Sequence, residues 1–536
     1  MHRQKGGSVQ AALPAYAFLY LVAVPQLQRI GSRTGCNQPI FLKQQDMTEE
    51  SQQSKNNAEK EQMSLSPSRL VRKELTPTPF KERNTNWLSF AAIWFTMTAQ
   101  MGIFKLGASL AGVMPTEEAL LAILIGNLAI LFVLVPIGDI GIEHGLNFAG
   151  YLRVPFGVYG SYFPLGLRGL VGVAWFGIQT YFGATAIEKV STQYFDFSGL
   201  YIWYVAFGLL QIAIVAAGFG TIKKVVNFAA PALALLSGWL LYVMFSEGSI
   251  DRFLSHKAEG QQSFIVAVVS NLSFWSTVAI NLPDFTRHVL GERTKGFFSR
   301  NRHNWVAQLI GLPLGMLFFT IVGMAGFVFT GESNPVLAIS ALVGGALLLL
   351  ALGVVVLAQL STNTTANLYA AAYAANAIGP PKISYRIGAI ITGILGLLTF
   401  PWVLLDFFLT YLPAVGAALA PVAGIMICDY YLIRKRRINV PEIFKPDGQY
   451  AYWRRINPAS YIAWLLGALA GVIWLDYSFI LALPISFILY YLLMRFWILD
   501  RYRQAEVEEE SEVYLATSVG RDWPVSLKEE SGESKQ

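Results

Sequence analysis

The sequence predicts an all-α polytopic membrane protein with twelve transmembrane helices, and three observations support this class. Of the 536 residues, 54% are hydrophobic and only 14% are charged, which is far more apolar than a soluble domain. The apolar residues form continuous runs of helical length and do not alternate as they do in the strands of a membrane β-barrel. Basic residues concentrate in alternate loops, as the positive-inside rule requires.

The twelve apolar segments that begin at Trp87 are called spans 1 to 12. They are predicted at residues 87–111, 118–141, 160–186, 199–219, 225–245, 263–282, 305–330, 342–375, 384–401, 402–428, 457–475 and 477–498. Lysine and arginine are most frequent between spans 6 and 7 and between spans 10 and 11. The sequence therefore predicts a multi-pass protein of the cell membrane (the inner or plasma membrane) with both termini in the cytoplasm.

Polar tails flank the membrane region. Residues 1–86 are predicted to form a cytoplasmic N-terminal tail, in which Met47 opens a charged stretch. We interpret residues 1–46 as an extension from an upstream start codon, because their one apolar stretch, 11–24, is short for a span. Residues 499–536 are predicted to form a cytoplasmic C-terminal tail that is too short for a signalling domain.

Several function classes are excluded by what the chain contains. The five histidines lie in tails or loops, no two of them at ligand spacing, and there is no Walker loop and no nucleophile elbow. The net charge of +6 belongs to short loops between spans, so it does not indicate nucleic-acid binding. The sequence thus predicts no enzyme and no cofactor, and any transport is passive or driven by a gradient.

Span 8 ends in an unusual polar stretch, Ala358 to Asn367, after an almost unbroken apolar run. Polar groups at membrane depth are costly unless they contact something. Ser361 and Thr362 share a helical face with Ala358, whereas Asn363 and Asn367 share another face about 140° away. This pattern is typical of a transporter that couples an ion to a polar ligand. The alternative is packing and hydrogen bonding between helices.

Spans 1 and 6 are each predicted to break near their middle. The polar residues at these points are Thr96, Thr98 and Gln100 in span 1, and Asn271, Ser273, Ser276 and Thr277 in span 6. Interrupted helices at corresponding positions of two halves indicate an inverted-repeat transporter. The backbone groups that a break frees are tolerated only beside a ligand, an ion or a wet cavity.

Span 3 carries Trp175 and Gln179, four residues apart and therefore on one helical face. An indole can stack on a flat ring, and an amide can pair with an N–H next to a C=O. Trp275 in span 6 lies near the predicted break, where it can form a second aromatic wall. Packing between helices is the alternative for each of them. The role of Lys105, a charge within span 1, is left open.

These features together resemble the nucleobase:cation symporter-1 family, the permeases for cytosine, uracil, allantoin and hydantoin. The resemblance is carried by Trp175-Phe-Gly-Ile-Gln179, Asn281-Leu-Pro-Asp-Phe-Thr-Arg287, Ser361-Thr-Asn-Thr-Thr-Ala-Asn367, and Pro421 followed by Asp429-Tyr430-Tyr431. It implies a LeuT-like fold, in which residues 87–245 (spans 1–5) and 263–428 (spans 6–10) form a 5+5 inverted repeat. Residues 457–498 then supply two additional C-terminal helices.

The resemblance also implies the site residues. Those expected to bind the substrate are Trp175 and Trp275 as a sandwich, Gln179 and Asn367 on the ring edge, and Asn363 and Gln100 close by. Those expected to bind sodium are Thr96 and Ala99 through their backbones, and Ala358 with the hydroxyls of Ser361 and Thr362. Leu409 in span 10 is expected to gate the outer side.

The predicted function is a symporter that imports a planar, nitrogen-rich ring with Na⁺ or H⁺ by alternating access. Allantoin or hydantoin is favoured, followed by uracil, because amides suit a C=O, N–H, C=O edge. A cytosine, purine or vitamin-type permease and an amino-acid transporter of the same fold remain alternatives, and a channel or a sensor is disfavoured. The expected partners are the solute and the lipid bilayer, with the chain acting as a monomer.

Overall fold

The computed structural model describes residues 75–217, 219–247, 250–258, 260–379 and 383–523. The predicted extension 1–46, most of the N-terminal tail and the last part of the C-terminal tail lie outside these residues. The helices of the first half are Trp87–Thr98 and Met101–Ala111 (span 1), Thr116–His144 (span 2), Phe148–Phe156 (a short helix after span 2), Tyr162–Phe195 (span 3), Leu200–Ala217 (span 4) and Phe219–Glu247 (span 5).

The second half continues the same architecture. Its membrane helices are Phe264–Ile280 (span 6), Arg302–Thr330 (span 7), Gly345–Thr362 and Tyr369–Ile378 (span 8), Tyr385–Leu397 (span 9), Phe408–Cys428 (span 10), Pro458–Ile473 (span 11) and Ser478–Leu493 (span 12). Its short helices include Pro283–Thr286, Pro335–Leu342 and Pro401–Asp406. In the described part of the chain, eight helices can cross a membrane alone, a bent pair forms a ninth span, and three shorter apolar helices occupy the positions of spans 6, 9 and 11.

The predicted break in span 1 is confirmed. The two halves of span 1 meet at an angle of 60°. Ala99 and Gln100 separate the halves, and Gln100 has an extended backbone (φ −152°, ψ 151°). The Thr98 hydroxyl donates to the carbonyl oxygen of Phe95 at 2.6 Å, which caps the end of the first half. The break therefore exposes backbone groups in the middle of the bundle.

The predicted break in the middle of span 6 is wrong, because the helix runs without interruption from Phe264 to Ile280. Its polar residues are accommodated within the helix or between helices. The Ser276 hydroxyl donates back to the carbonyl oxygen of Ser273 at 2.6 Å, and the Asn271 amide donates to the carbonyl oxygen of Ile123 in span 2 at 2.9 Å. The helix direction changes only after Ile280, where Pro283 opens a short separate helix.

Two groups of spans each pack closely. Spans 1, 2, 6 and 7 contact one another, and spans 3, 4, 8 and 9 form a second group. Spans 1 and 7 approach to backbone contact through glycine: a Cβ on Gly323 would lie 2.0 Å from the carbonyl oxygen of Phe104, and one on Gly311 would lie 2.5 Å from that of Ala91. Small residues therefore fix the spacing of the first group.

We expect Gly323→Ala to destabilise the protein by about 1–3 kcal/mol, the usual cost of overpacking. The new methyl group has no room unless spans 1 and 7 separate. Thermal unfolding in detergent, followed by size-exclusion chromatography, measures this effect. Gly353→Ala is the matched control, since nothing lies within 4 Å of a Cβ at Gly353. Equal melting temperatures for the two variants would contradict the proposed spacing role.

Buried charges at one end of the bundle bind the C-terminal segment. Arg300 donates to both carboxylate oxygens of Asp139, through Nε at 2.9 Å and Nη2 at 2.7 Å, and its Nε lies 3.0 Å from Oε2 of Glu143. The other Glu143 oxygen accepts from the backbone N–H of Ala516 at 3.0 Å and from the Ser518 hydroxyl at 2.7 Å. Residues 516–518 of the predicted polar tail thus pack against the end of span 2.

Candidate functional site

A cavity of about 400 Å³ lies between the two groups of spans. It is bounded by the break in span 1 and by spans 3, 6 and 8, the four spans that the sequence predicts around the site. Its lining includes Met97, Gln100, Arg168, Trp275, Asn281, Asp284, Arg287, His288, Thr362, Thr365, Tyr369 and Tyr373. Three of the predicted site residues, Gln100, Trp275 and Thr362, therefore line it directly.

A larger recess of about 910 Å³ lies between spans 3, 5 and 8. Its lining consists of aliphatic side chains together with Trp239. Because this lining supplies almost no hydrogen-bonding groups, the recess cannot read the edge of a polar ring. We therefore assign the candidate site to the smaller cavity.

Trp175, Gln100 and Gln179 converge on Gly102, at the start of the second half of span 1. A Cβ on Gly102 would lie 3.1 Å from Trp175, 3.5 Å from Oε1 of Gln100 and 3.6 Å from Nε2 of Gln179. Gln179 Nε2 donates to Gln100 Oε1, and Gln100 Nε2 donates to the carbonyl oxygen of Met97 at 3.0 Å. Gln179 Oε1 is buried and has no hydrogen-bond partner. This acceptor is therefore available to a ligand or a water molecule.

The two predicted tryptophan walls are connected through a third ring. Trp175 contacts Phe274 edge to face, with ring centroids 5.1 Å apart, and Phe274 in turn contacts Trp275 at 5.5 Å. Trp175 also meets Phe408 and Tyr411 of span 10 at 6.0 and 5.9 Å. Among the ring contacts of the described residues, Trp175 and Trp275 do not pair with each other. Trp275 lines the cavity and Trp175 is connected to it through Phe274, so the sandwich around a bound ring stays a prediction.

Asn363 is bound to protein groups rather than directed at the cavity. Its amide nitrogen donates to the carbonyl oxygen of Phe176 (3.0 Å), the Thr180 hydroxyl (3.1 Å) and Gln211 Oε1 (2.9 Å). Its oxygen accepts from Asn367 Nδ2 at 2.9 Å. This is the interhelical hydrogen bonding that the sequence left open as the alternative. Asn363 also orients Asn367, and its place close to the ligand stays a prediction.

The predicted sodium ligands differ from their neighbours in their hydrogen bonding. The hydroxyls of Thr364 and Thr365 donate back to the carbonyl oxygen of Ser361, at 3.0 and 2.9 Å. Within the described residues, the hydroxyls of Ser361 and Thr362 make no such bond, and the Ala99 carbonyl accepts no backbone N–H. Hydroxyl and carbonyl oxygens suit a hard cation such as Na⁺. The residues present therefore fit a sodium site.

The other predicted residues are not part of the cavity lining, and their roles stay predictions. Lys105 Nζ lies 3.5 Å from the Ser333 hydroxyl in the loop after span 7. Ala358 is buried in span 8, and the Thr96 hydroxyl donates to the carbonyl oxygen of Ala92 at 2.8 Å. Leu409 begins span 10 beside Phe408, whose ring contacts Trp175. This position is compatible with the predicted gate, which stays a prediction.

Two charged residues of the cavity wall, Arg168 and Asp284, are not among the predicted site residues. Arg168 lies seven residues before Trp175 and eleven before Gln179, a helical spacing that places all three on one face. That spacing was the available signal. At the same end of the cavity, burial and the charges of Arg287 and Arg83 lower the pKa of His288 to about 4, so this histidine is neutral at pH 7.

Comparison with known proteins agrees with this arrangement. A family model described as a permease for cytosine/purines, uracil, thiamine and allantoin matches residues 77–498. The hydantoin permease of Microbacterium maritypicum is 30% identical over 456 residues, which cover 83% of this chain and 93% of that protein. The chain belongs to this permease family. It is accordingly a multi-pass membrane transporter and not an enzyme.

Two solved structures support the fold of this permease. The inward-facing conformation of Mhp1 matches with a TM-score of 0.78 at 28% identity, covering 84% of this chain and 98% of that one. The closed conformation of Mhp1, described as a nucleobase-cation-symport-1 family transporter with bromovinylhydantoin bound, matches with a TM-score of 0.73 at 30% identity, covering 83% and 100%. The predicted LeuT-like, all-α fold class of the permease is thereby confirmed.

Proposed function

We propose that this permease is a symporter that takes up a planar, nitrogen-rich ring together with a cation. The observation that carries the proposal is the convergence of Trp175, Gln100 and Gln179 on Gly102, with Gln179 Oε1 buried and unpaired. An indole face fixes the plane of a ring, and an amide with one free acceptor reads an N–H on its edge. Trp275 and Asn367 complete the walls from spans 6 and 8.

The preferred solute is allantoin or hydantoin, followed by uracil. Gln179 and Asn367 can offer both donors and acceptors, which matches a ring edge that alternates C=O and N–H. The hydantoin permease and the hydantoin-bound transporter among the similar proteins support this choice. Cytosine, purines and thiamine-like rings are the alternatives within the family. Rings without the matching edge leave buried amide groups unpaired and are rejected.

Na⁺ is the proposed coupling ion. Ser361 and Thr362 supply hydroxyls that make no back-bond, and the broken span 1 supplies carbonyl oxygens at Thr96 and Ala99. Ala358 supplies a further carbonyl. An ion held between spans 1 and 8 stabilises one arrangement of these spans and so raises the affinity for the solute without touching it. Proton coupling is the alternative, and Asp284 is the carboxylate in the cavity wall that could serve it.

The cavity is proposed to be open to the cytoplasm. It extends from Gln100 and Trp275, near the middle of the bundle, towards the ends of the spans that border the basic loops. Asn147, His288 and Tyr373 line it there. The higher similarity to the inward-facing Mhp1 conformation supports this orientation. We propose that the protein is a monomer in the plasma or inner membrane and that both termini lie in the cytoplasm. Alternating access then results from the two groups of spans rocking against each other.

The proposal is tested with purified protein in liposomes. Uptake of radiolabelled hydantoin, allantoin and uracil is measured with an inward sodium gradient and with choline in its place, at fixed pH. We expect saturable uptake of at least one ring, stimulated by sodium. Uptake that responds to an acidic exterior instead would assign H⁺. Non-saturable flux would indicate a channel, and no uptake of any of the three would overturn the preferred solute class.

A further inference from the structure

Arg168 is a buried cation in span 3 whose hydrogen-bonding capacity is mostly unused. It is only 5% exposed. Its Nη2 donates to the carbonyl oxygen of Ala366 in span 8 at 3.1 Å, whereas Nε and Nη1 are buried without any partner. Leaving donors of a charged group unpaired away from water is costly. An arrangement in which these donors find an acceptor is therefore expected in the working cycle.

The acceptor available across the cavity is Asp284. Both residues line the cavity and interact electrostatically. No ion pair within 4.0 Å joins Arg168 to Asp284 in the described structure, where Asp284 Oδ1 accepts from the backbone N–H of Phe148 at 2.8 Å. Asp284 Oδ2 has a long contact of 3.4 Å to the Asn281 amide, which in its opposite orientation donates to the carbonyl oxygen of Thr277, and the charge of Arg287 also acts on Asp284.

The two residues belong to different groups of spans. Arg168 is fixed on span 3, against span 8. Asp284 is in the short helix after span 6, which is tied to span 2 because the Thr286 hydroxyl donates to the carbonyl oxygen of Gly138 at 2.8 Å. Closing the cavity moves span 3 and the short helix after span 6 towards each other. The guanidinium of Arg168 and the carboxylate of Asp284 match in geometry and charge, so they can then form a bidentate pair.

We propose that Arg168 and Asp284 form an ion-pair latch that holds the cavity closed on the side open in this structure. The pair is absent in the open arrangement and forms when the walls meet, so it stabilises the closed arrangement specifically. Both are positioning residues that act on the conformational equilibrium, because the groups nearest a Cβ at Gly102 are those of Trp175, Gln100 and Gln179. This inference rests on the proposed transport function, because a latch matters only in a transport cycle. The experiment that tests it does not require transport.

The latch is tested by the accessibility of Met97, which lines the cavity beside the break in span 1. In a background with Cys36 and Cys428 replaced by serine, Met97→Cys is labelled in inside-out vesicles by a membrane-impermeant maleimide. We expect Arg168→Gln and Asp284→Asn each to raise the labelling rate about tenfold, a typical size for such couplings. The exchange of both charges, Arg168→Asp with Asp284→Arg, is expected to restore the parent rate.

Arg302→Gln is the matched control, since it also removes one positive charge but Arg302 is largely exposed and does not line the cavity. It is expected to leave the labelling rate close to that of the parent. Unchanged labelling in both single variants, or no recovery in the exchange variant, would overturn the latch. If the exchange variant does not elute as folded protein, Arg168→Cys with Asp284→Cys is treated with a short bis-maleimide. Labelling at both cysteines without a crosslink would equally overturn it. No solute is needed, so a failed uptake assay leaves this test intact.

Discussion

We expect a Gln179→Met variant to take up the solute with a kcat/KM at least about 100-fold lower than that of the parent. The substitution leaves the polar edge of the bound ring without its hydrogen-bond partner, and an unpaired buried polar group is costly. Methionine keeps the length of the side chain but removes both amide atoms. It therefore deletes the free acceptor at Gln179 Oε1 and leaves Gln100 Oε1 without its donor. Initial uptake rates in liposomes over a range of solute concentrations measure the loss.

The control for this loss is Gln262→Ala, in the loop before span 6, which removes a glutamine far from Gly102. It is expected to transport like the parent protein. The melting temperature of Gln179→Met should also stay within a few degrees of the parent, because no packing volume is lost. A Gln179→Met protein that is stable and retains most of its uptake would show that the ring edge is read elsewhere.

The second large effect concerns stability. Replacing Arg300 by methionine leaves Asp139 and Glu143 buried without their cation, and breaking such a buried pair costs about 3–5 kcal/mol. Tyr431 and Asn301 continue to donate to Asp139, at 3.1 and 2.8 Å, but neutral donors do not replace the charge. A fall in melting temperature and in the yield of monodisperse protein measures the cost.

Arg302→Met is the matched comparison for Arg300→Met. Arg302 lies two residues further along the chain and pairs with Glu292 at 3.8 Å, with both side chains largely exposed (67% and 43%). Exposed pairs of this kind contribute roughly 0–1 kcal/mol. Similar melting temperatures for the two variants would mean that the buried pair contributes no more to stability than the surface pair.

The sequence predicted the arrangement of helices well, because length and hydropathy are properties of each segment alone. The break in span 1 was also predictable, because polar residues cluster where the backbone becomes extended at Gln100. A similar polar cluster in span 6 predicted a break that does not form. There Ser276 bonds within its own helix and Asn271 bonds to span 2, and neither choice can be read from polarity.

The site was predicted in its residue types but not in its detailed contacts. Trp175 and Gln179 do meet at span 1, as their spacing on one helical face suggested. The partners of Asn363, Thr180 and Gln211, come from spans 3 and 4, and only tertiary packing brings them within reach. Arg168 was passed over because its unused donors are visible only once its neighbours are known.

The contact between Glu143 and residues 516 and 518 has a consequence for the order in which the protein is made. Span 2 enters the membrane early in synthesis, but the donors that complete its buried carboxylate are 373 and 375 residues further along the chain. Such long-range pairing is late in folding. The packing at this end of span 2 is therefore completed only after residues 516–518 have been synthesised, and a ribosome that stalls after span 12 leaves Glu143 without these donors.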